Sequence, residues 1–505
     1  MSSKLYTAAL TGLNCTIVEV ETDYRKGNSY FSIVGLADKS IQEARDRIPS
    51  AIRAAGAEFV PVKIIMNLAP ARLSKSGPSY DLPLAVGYLA SSEQIDFDPE
   101  GKVFLGELAL DGRLRPVSGI LPIADALVKK GFSDLFIPFE NADEAALVKG
   151  LNIFPLKHLK DLIDHFQGRK IIPKYESTFS FAKTHRKYKF DMSQVKGQRH
   201  ARRALEIAAA GGHNILMSGV PGSGKTMLSR CFPSILPELT INESLEITRI
   251  YSVCGLTSKD SPMVTERPFR APHHTSSQVA LVGGGGQIKP GEISLAHRGV
   301  LFLDEFPEFS VQALEALRQP LEDKVVTISR ASGTLTFPAN FVLVAAMNPC
   351  KCGYLGDPEK ECTCTPVEIA RYQKRISGPI LDRIDLLINV AKVKHTQLLD
   401  SAESESSAEV QKRVQKARDI QTKRFEKSGL VSNSDMSQRE IKEFIKLDSE
   451  TETLLKQAMQ RMNLSARSYY RLLKVSRTIA DLENMDSITK NHVVEALSYR
   501  VEIGG

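Results

Sequence analysis

No apolar stretch of the sequence is long enough to span a membrane, and its first residues lead into no signal-peptide core. Cysteine is scarce, because the chain has only seven, and the bunching of four of them is unlike an extracellular disulfide framework. A strong excess of one charge is also missing: the net charge of +7 is spread over 505 residues and only weakly favours a polyanionic partner. These absences predict a cytoplasmic protein with no membrane segment.

The length exceeds what one hydrophobic core can support, and roughly three domains are expected. Strand and helix patterns alternate in residues 1–167, and a polar, basic linker follows at 168–189. A second α/β region covers residues 190–395. Beyond a polar hinge at 401–407, the last region, 396–505, reads as helical. No internal repeat is visible.

Local patterns place several elements in the first region. Residues 103–108 are predicted to form one strand, and residues 119–130 to form a helix. Asp81 is interpreted as the N-cap of a helix that runs to Leu89, because an acidic residue there directly precedes an apolar run.

A complete phosphate-binding loop is the most informative motif. Its residues are Gly219, Val220, Pro221, Gly222, Ser223, Gly224, Lys225 and Thr226. A short apolar strand precedes the loop and a helix follows it, so the backbone can wrap the phosphates at a helix N-terminus. Lys225 adds a point charge near the β- and γ-phosphates, and Thr226 can place its hydroxyl on Mg²⁺. The pattern predicts binding of ATP with Mg²⁺.

A second motif supplies two carboxylates. The apolar strand at residues 300–303 ends in Asp304 and Glu305, at the carboxyl end where ligands bind in open α/β sheets. Asp304 is predicted to support Mg²⁺ mainly through its water shell, and Glu305 to orient and deprotonate the attacking water. Paired acids at a strand end are common by chance, but after a phosphate loop they belong to one site. The sequence therefore predicts an ATP hydrolase.

Two more polar residues extend this site. Asn348 follows a buried strand, where it can hydrogen-bond the water or the γ-phosphate; a simple strand-ending turn is the alternative. Arg383 lies on a corner before the strand 385–390, from which it cannot easily reach its own nucleotide. It is therefore a candidate finger acting on a neighbouring subunit, with a surface salt bridge as the alternative and Arg375 as a competing finger.

These motifs together resemble the AAA+ ATPases, and within them the magnesium-chelatase-like group and its ComM/YifB family. The resemblance covers essentially the whole chain. It rests additionally on residues 194–198, 267–275, 348–350 and 465–467. It implies that Arg467 is the sensor-2 arginine, which would reach the γ-phosphate from the helical lid. The roles of His273 and His274 stay open between pore lining, the nucleotide interface and polar packing.

The same resemblance implies a homo-hexameric ring with nucleotides at subunit interfaces and branched or single-stranded DNA as its track. Members of the ComM type are understood as branch-migration helicases that extend recombination intermediates during natural transformation, so recombination proteins are possible partners. The alternatives are a chelatase-type ATPase that remodels a protein partner and an ATP-dependent protease.

The first domain resembles the Lon protease domain, through residues 76–81, 105–108 and 111–119. Ser79 matches the nucleophile of that domain, but the position of its activating lysine falls on or beside Leu121, and no lysine occurs before Lys129. A serine hydroxyl is a weak nucleophile without an adjacent base, which argues against proteolysis. The predicted fold is therefore α/β, with a AAA+ P-loop NTPase core and helical lid after an α+β Lon-protease-like, or ribosomal S5-like, domain.

A cysteine cluster follows Asn348. Its four members are Cys350, Cys352, Cys362 and Cys364. Four thiolates in a cytoplasmic protein predict a closed, structural zinc site with no open position for catalysis. The single residue within each pair is tighter spacing than usual, and free thiols or a redox or iron–sulfur role are the alternatives.

Candidate DNA contacts come from a hairpin pattern at residues 324–337. Lys324 and Arg330 are candidates to track DNA phosphates in a salt-sensitive, sequence-independent way. Lys289, in a glycine-rich loop, is a second candidate. A solvated hairpin is the alternative.

Overall fold

The computed structural model describes residues 2–25, 29–60, 62–177, 179, 188–285, 288–330, 333–393, 405–462 and 464–500. Most of the predicted linker's second half and the start of the predicted hinge lie outside these described residues. The chain forms two compact units, here called the N-terminal unit (Met1–Lys183 with Ile241–Thr265) and the P-loop unit (Thr184–Thr240 with Glu266–Gly505). None of the described helices is long and apolar enough to cross a membrane.

The elements are numbered in chain order. The strands are β1 (Ser2–Thr11), β2 (Asn14–Arg25), β3 (Tyr30–Val34), β4 (Lys63–Ala69), β5 (Lys102–Phe104), β6 (Glu107–Leu108), β7 (Leu114–Arg115), β8 (Asp134–Pro138), β9 (Asn152–Leu156), β10 (Ile215–Ser218), β11 (Phe269–Arg270), β12 (Gly283–Gly284), β13 (Lys289–Pro290), β14 (Val300–Leu303), β15 (Val325–Arg330), β16 (Gly333–Pro338), β17 (Val342–Met347) and β18 (Leu386–Asn389). The helices are α1 (Lys39–Gln42), α2 (Ala44–Ala54), α3 (Asp81–Ser91), α4 (Ile120–Lys129), α5 (Ala142–Ala145), α6 (Leu159–Phe166), α7 (Arg199–Gly211), α8 (Lys225–Ile235), α9 (Ile241–Val253), α10 (Gln278–Val282), α11 (Glu292–Leu295), α12 (Val311–Glu315), α13 (Arg318–Asp323), α14 (Pro366–Gln373), α15 (Gly378–Leu381), α16 (Ser407–Arg424), α17 (Gln438–Phe444), α18 (Ser449–Arg461), α19 (Ala466–Leu482) and α20 (Lys490–Ser498).

A mixed sheet organises the N-terminal unit, with strand order β3-β4-β2-β1-β5-β8-β9. β1 and β2 are antiparallel, with Ser2 opposite Asp23 and Thr11 opposite Asn14. β1, β5, β8 and β9 run parallel to one another. The predicted helix at 119–130 is confirmed as α4.

Two sequence predictions for this unit were wrong. Asp81 is the first residue of α3 and caps nothing; its fully buried carboxylate accepts hydrogen bonds from Arg47 Nε at 2.9 Å and from the Leu108 N–H at 3.2 Å. The expected strand at 103–108 is split into β5 and β6, because the Gly106 N–H donates to the Ser79 carbonyl at 3.0 Å. In both cases a long-range partner outcompeted the local pattern.

Residues 241–265 group with the N-terminal unit, although they follow α8 of the P-loop unit in sequence. α9 packs on α4. The buried carboxylate of Glu144 binds this segment, because it accepts hydrogen bonds from the hydroxyls of Ser252 and Thr257 and from the Leu121 N–H at 2.8 Å. Burial raises the pKa of Glu144 despite these three donors.

The P-loop unit is built on a parallel sheet with strand order β11-β14-β17-β10-β18. Ile215 of β10 lies opposite Val344 of β17 and Leu386 of β18, and Val300 of β14 lies opposite Val342 of β17. The three central strands, β10, β14 and β17, are almost wholly buried, as helices on both faces of a parallel sheet require. The carboxyl ends of β10, β14 and β17 therefore meet at one edge, which we call the carboxyl edge.

The last part of the chain is helical, as predicted, from α16 to α20. α16 and α19 pack against α7, and α16 also packs against α8, within one apolar core. Serine side chains cap three of these helices: Ser406 caps α16 through the Glu409 N–H, Ser437 caps α17 through the Arg439 N–H, and Ser465 caps α19 through the Ser468 N–H.

Candidate active site

The predicted phosphate loop connects β10 to α8. Gly222 and Gly224 have φ angles of 77° and 94°, in the left-handed region that glycine adopts most easily. Gly224 is the N-cap of α8, so the loop turns directly into a helix N-terminus. The first N–H groups of a helix have no intrahelical partner and attract anions.

Lys225 lies inside this loop with only 8% of its surface exposed. Its Nζ donates to the Gly219 carbonyl at 2.6 Å, to the Val220 carbonyl at 3.0 Å and to Asn348 Oδ1 at 3.3 Å. Burial lowers the pKa of the ammonium, although the charge of Asp304 opposes this. The structure thus brings Asn348 to the phosphate loop, as the sequence predicted for a shared site.

Thr226 and the acidic pair also come together at the carboxyl edge. The Thr226 hydroxyl donates to Asp304 Oδ2 at 3.0 Å, and the Glu305 N–H donates to Asp304 Oδ1 at 2.9 Å. A hydroxyl and a carboxylate in contact are the hard oxygen donors that Mg²⁺ prefers. These residues therefore fit a magnesium ion bound together with the phosphates.

Glu305 contacts His274, a residue whose role the sequence did not define. His274 Nδ1 lies 2.9 Å from Glu305 Oε2, and the rings of His273 and His274 lie 4.2 Å apart. Glu305 itself has a positive φ of 52°, and its side chain is 54% exposed. The segment after β11 therefore holds the predicted water-activating carboxylate. The order of motifs along the chain carried no signal for this contact.

α14 supports the end of the strand that carries Asn348. Gln373 Nε2 donates to the Pro349 carbonyl at 3.1 Å, and Tyr372 hydrogen-bonds the backbone of Asn348. Tyr372 is buried, and burial raises its pKa to about 12. A neutral, buried phenol thus fixes the main chain beside the predicted site.

Arg383 lies at the opposite, amino edge of the sheet. Its carbonyl accepts from Asn214 Nδ2 at 3.1 Å, and Asn214 precedes β10, whereas the phosphate loop follows β10. With about 3.3 Å per residue, the four residues of β10 separate the two edges by roughly 13 Å. The guanidinium donates to the Pro379 carbonyl at 2.7 Å and to Glu322. Arg383 is therefore directed away from its own phosphate loop.

Arg467 meets Arg383 at the same carboxylate. Its Nη2 donates to Glu322 Oε1 at 2.5 Å, while Arg383 pairs with Glu322 Oε2. The predicted sensor-2 arginine and the predicted finger are thus joined through one glutamate on α13. Arg375, the competing finger, pairs instead with Glu308 at 2.9 Å. Sequence reasoning missed Glu322, which is 61 and 145 residues from its partners.

A buried carboxylate stabilises the amino edge nearby. Asp385 accepts from Arg471 Nη1 at 2.5 Å and from the Asn214 N–H at 3.0 Å, and it lies 3.6 Å from His213 Nδ1. Burial opposes its ionisation, but Arg471 and His213 hold the pKa of Asp385 far below its usual range. The loop that carries Arg383 is therefore attached to α19 by charge.

The predicted hairpin is confirmed: β15 and β16 are antiparallel, with Arg330 opposite Gly333, and its turn residues 331–332 lie outside the described part of the chain. The Lys324 ammonium pairs with Asp435 and donates to Asn340 Oδ1 at 3.2 Å. Lys324 is thus engaged inside the unit.

Arg330 and Lys289 are both exposed and lie close together. Lys289 stands opposite Gly284 in the β12–β13 pair, and a Cβ on Gly284 would lie 3.3 Å from Arg330 Nη2. The two hairpins therefore present neighbouring basic side chains. Neighbouring cations of this kind can neutralise phosphates of a nucleic-acid backbone.

The four cluster cysteines converge, with all Sγ atoms within 4.8 Å of one another. The Sγ of Cys350 lies 3.3 Å from that of Cys352 and 3.6 Å from that of Cys362. Zinc–sulfur bonds of about 2.3 Å in a tetrahedron place sulfurs about 3.8 Å apart. The thiols therefore fit a zinc ion with small adjustments.

In the N-terminal unit, Ser79 lies in a short 3₁₀ turn, Pro78–Tyr80. Leu121, at the position of the Lon lysine, is buried in α4, and Lys129 pairs with Asp125 at 2.8 Å. The Lon-like identity of this unit stays a prediction.

A five-stranded parallel sheet with a phosphate loop, an acidic pair and a polar residue on the strand between them defines the AAA+ class of P-loop proteins. Three family models match the chain. They are described as magnesium chelatase, subunit ChlI (residues 191–398), subunit ChlI of Mg-chelatase (20–141) and magnesium chelatase, subunit ChlI C-terminal (404–500).

Similar proteins extend over the full length. Competence protein ComM of Haemophilus influenzae is 42% identical over 99% of this chain and 97% of its own length. YifB of Escherichia coli is also 42% identical, with the same coverage of both chains. The magnesium-chelatase 67 kDa subunit of Chlorobaculum parvum is 25% identical over 37% of this chain and 29% of its own. The chain therefore belongs to the ComM/YifB family of magnesium-chelatase-like AAA+ proteins, which confirms the resemblance noted from the sequence.

Proposed function

We propose that this protein is an ATP-driven DNA motor that acts as a ring of identical subunits in homologous recombination or natural transformation. One observation carries the proposal: Glu305 lies at the carboxyl edge of the sheet, whereas Arg383 and Arg467 lie at the amino edge. A hydrolysis site that uses all three needs two chains, and a head-to-tail contact that repeats forms a ring when its rotation closes. The name of the relative ComM, a competence protein, supports the cellular role.

Hydrolysis follows from the residues of the carboxyl edge. Lys225 and the α8 N-terminus would hold the phosphates, and Thr226 and Asp304 would hold Mg²⁺, which would supply charge neutralisation. Glu305 takes the proton of the attacking water once its carboxylate leaves His274, and Asn348 orients that water. Arg383 and Arg467 of the adjacent subunit neutralise the charge that develops on the γ-phosphate.

The DNA part of the proposal depends on Arg330 and Lys289. Their side chains are exposed, adjacent and carried by two short hairpins of the same unit. Such a pair grips phosphates without reading bases, which suits a motor that moves along any sequence. A chelatase-type ATPase that remodels a protein partner is the second candidate, because the three family models describe chelatase subunits.

A four-way DNA junction tests the proposal directly. We expect the junction to stimulate the ATPase and to be migrated, and Glu305→Gln to abolish migration. Arg330→Ala together with Lys289→Ala should lower the slope of log affinity against log salt concentration by about 1 to 2. Lys456→Ala is the matched control, because Lys456 is 70% exposed and pairs only locally with Glu452. An ATPase that ignores every DNA but responds to a protein partner would support the chelatase-type function.

A further inference from the structure

The cysteine cluster lies directly against the phosphate loop. Cys350 comes two residues after Asn348, and the Gly353 N–H donates to the Cys350 carbonyl at 3.0 Å, which closes a turn. A Cβ on Gly353 would lie 2.8 Å from Pro221 Cγ and 3.0 Å from Pro221 Cδ. The main chain of the cysteine turn is therefore packed on the phosphate loop at a position where only glycine fits.

Apolar packing contributes little to the shape of this cysteine turn, whose other contacts include the pairing of Glu359 with Lys392 and the Lys360 ammonium over the Tyr354 ring. Cys350 and Gly353 are buried, but residues 356–363 are mostly exposed and contribute no residue to the apolar core. Segments with few buried apolar contacts open easily unless a cross-link or a metal fixes them. The conformation that contacts Pro221 therefore depends on what joins the four thiols.

We propose that zinc bound by Cys350, Cys352, Cys362 and Cys364 clamps this turn against Pro221, so that zinc occupancy sets the affinity of the phosphate loop for ATP. The inference rests on the proposed nucleotide site and adds a regulator to it. Four thiolate ligands fill the coordination of zinc, so the ion acts on the loop and not on the phosphates.

Only a few residues connect the zinc site to the phosphate loop. Pro221 contacts the clamp from the phosphate loop, and Asn348, which begins the same segment, accepts a hydrogen bond from Lys225 Nζ at 3.3 Å. Without the metal, the turn that contacts Pro221 gains freedom, while Tyr372 and Gln373 still hold the main chain at Asn348 and Pro349. ATP must then order the loop itself, and ordering a segment on binding weakens affinity.

Zinc removal from the full-length protein is the first test. We expect about one zinc per chain by metal analysis, and metal-free protein should bind a fluorescent ATP analogue roughly tenfold more weakly, with restoration by zinc alone. Circular dichroism confirms that the metal-free protein is folded. Equal affinity of folded metal-free and loaded protein would overturn the clamp, as would iron and sulfide in place of zinc. If neither form binds the analogue, the nucleotide site itself fails.

Two glycine variants test the contact with Pro221 without changing any of the four cysteines that would bind zinc. Gly353 and Gly356 have similar positive φ angles, 88° and 78°, so alanine strains the backbone similarly at both. A Cβ meets Pro221 only at Gly353, because nothing lies within 4 Å of one at Gly356. Gly353→Ala should keep its zinc and bind the ATP analogue roughly tenfold more weakly, whereas Gly356→Ala should stay within about twofold of wild type. Equal affinities of the two variants would overturn the contact.

Discussion

The two edges of the parallel sheet in the P-loop unit hold the two groups of residues that the proposed hydrolysis site combines. At the carboxyl edge, Lys225 is bound by carbonyl and amide oxygens, and burial lowers its pKa. At the amino edge, Arg383 and Arg467 are neutralised by Glu322. A phosphate would therefore give Lys225 an anionic partner in place of neutral oxygens, whereas Arg383 and Arg467 already have an anionic partner in Glu322. In the proposed ring, one chain would therefore supply half of each of two sites.

Arg467 can still leave Glu322, whereas Arg383 is only 13% exposed. Glu322 and Arg467 are 45% and 40% exposed, and exposed ion pairs contribute only about 0–1 kcal/mol to stability. A γ-phosphate of a neighbouring subunit is a stronger anion and accepts from two arginines at once. In the proposed ring, exchange of Glu322 for that phosphate is therefore expected to cost little at Arg467.

Inactivating one edge at a time gives the largest expected effect. Arg383→Ala should lower the ATPase rate by about 10³-fold or more without weakening nucleotide affinity, because a finger acts in the transition state. Glu305→Gln should also be inactive. Co-assembled in equal amounts, the two variants should recover about a quarter of wild-type activity, since random head-to-tail mixing leaves that share of interfaces intact on both sides.

Arg375→Ala is the control for this experiment, because Arg375 forms a surface pair with Glu308. It should remain active. If a mixture of the two inactive variants recovers no activity, Arg383 acts on the nucleotide of its own chain. This outcome would contradict the assignment of the two edges to two different subunits.

The contacts of the carboxyl edge were predictable from sequence, whereas at the amino edge only the two arginines were, and not the glutamate that joins them. The phosphate loop and the acidic pair are contiguous motifs whose neighbours in sequence also surround them in space, so pattern and context sufficed. Glu322 joins two arginines from distant segments, and no local spacing pattern in the sequence predicts such a contact. His274 beside Glu305 is similar, because the order of strands in the sheet brings it there.

Asp81 shows the same limit in the N-terminal unit. An acidic residue before an apolar run predicts an N-cap, but the carboxylate is buried against Arg47, 34 residues earlier. A charge-assisted bond in the interior is stronger than a cap at the surface, so the tertiary partner prevailed. Local rules therefore succeeded where the chemistry is local and failed where burial selected the partner.

A charge pair at the amino edge gives the next largest effect. Burial opposes ionisation of Asp435, but Lys324 and Ser432 hold its pKa at about 2. A carboxyl whose folded pKa is depressed stabilises the fold above its unfolded pKa, and this contribution is lost as pH falls toward 2. Lys324→Met should therefore reduce the free energy of unfolding at pH 7 by about 2 kcal/mol and flatten its fall between about pH 4 and pH 2.

Urea unfolding of both proteins at a series of pH values measures this. Lys324→Arg keeps the charge and should behave like wild type. Unchanged acid sensitivity in Lys324→Met would mean that Lys324 does not stabilise the ionised carboxyl, and would return Lys324 to the candidates for DNA binding.

Glu322 gives the smallest expected effect and the finest test of the comparison. Glu322→Gln keeps a hydrogen-bond acceptor but removes the charge that aligns Arg383 and Arg467. Because Glu322 positions these residues and does not itself react, kcat should fall less than about tenfold with KM unchanged.

Glu308→Gln is the matched control, since the Glu308 carboxylate pairs with Arg375 and not with Arg383 or Arg467. Adding Glu322→Gln to Arg467→Ala should then lower kcat less than it does in wild type, because part of the alignment has already been lost. A rise in kcat would instead identify Glu322 as a competitor of the γ-phosphate for Arg383 and Arg467. In that case the Glu322 carboxylate would slow ATP hydrolysis.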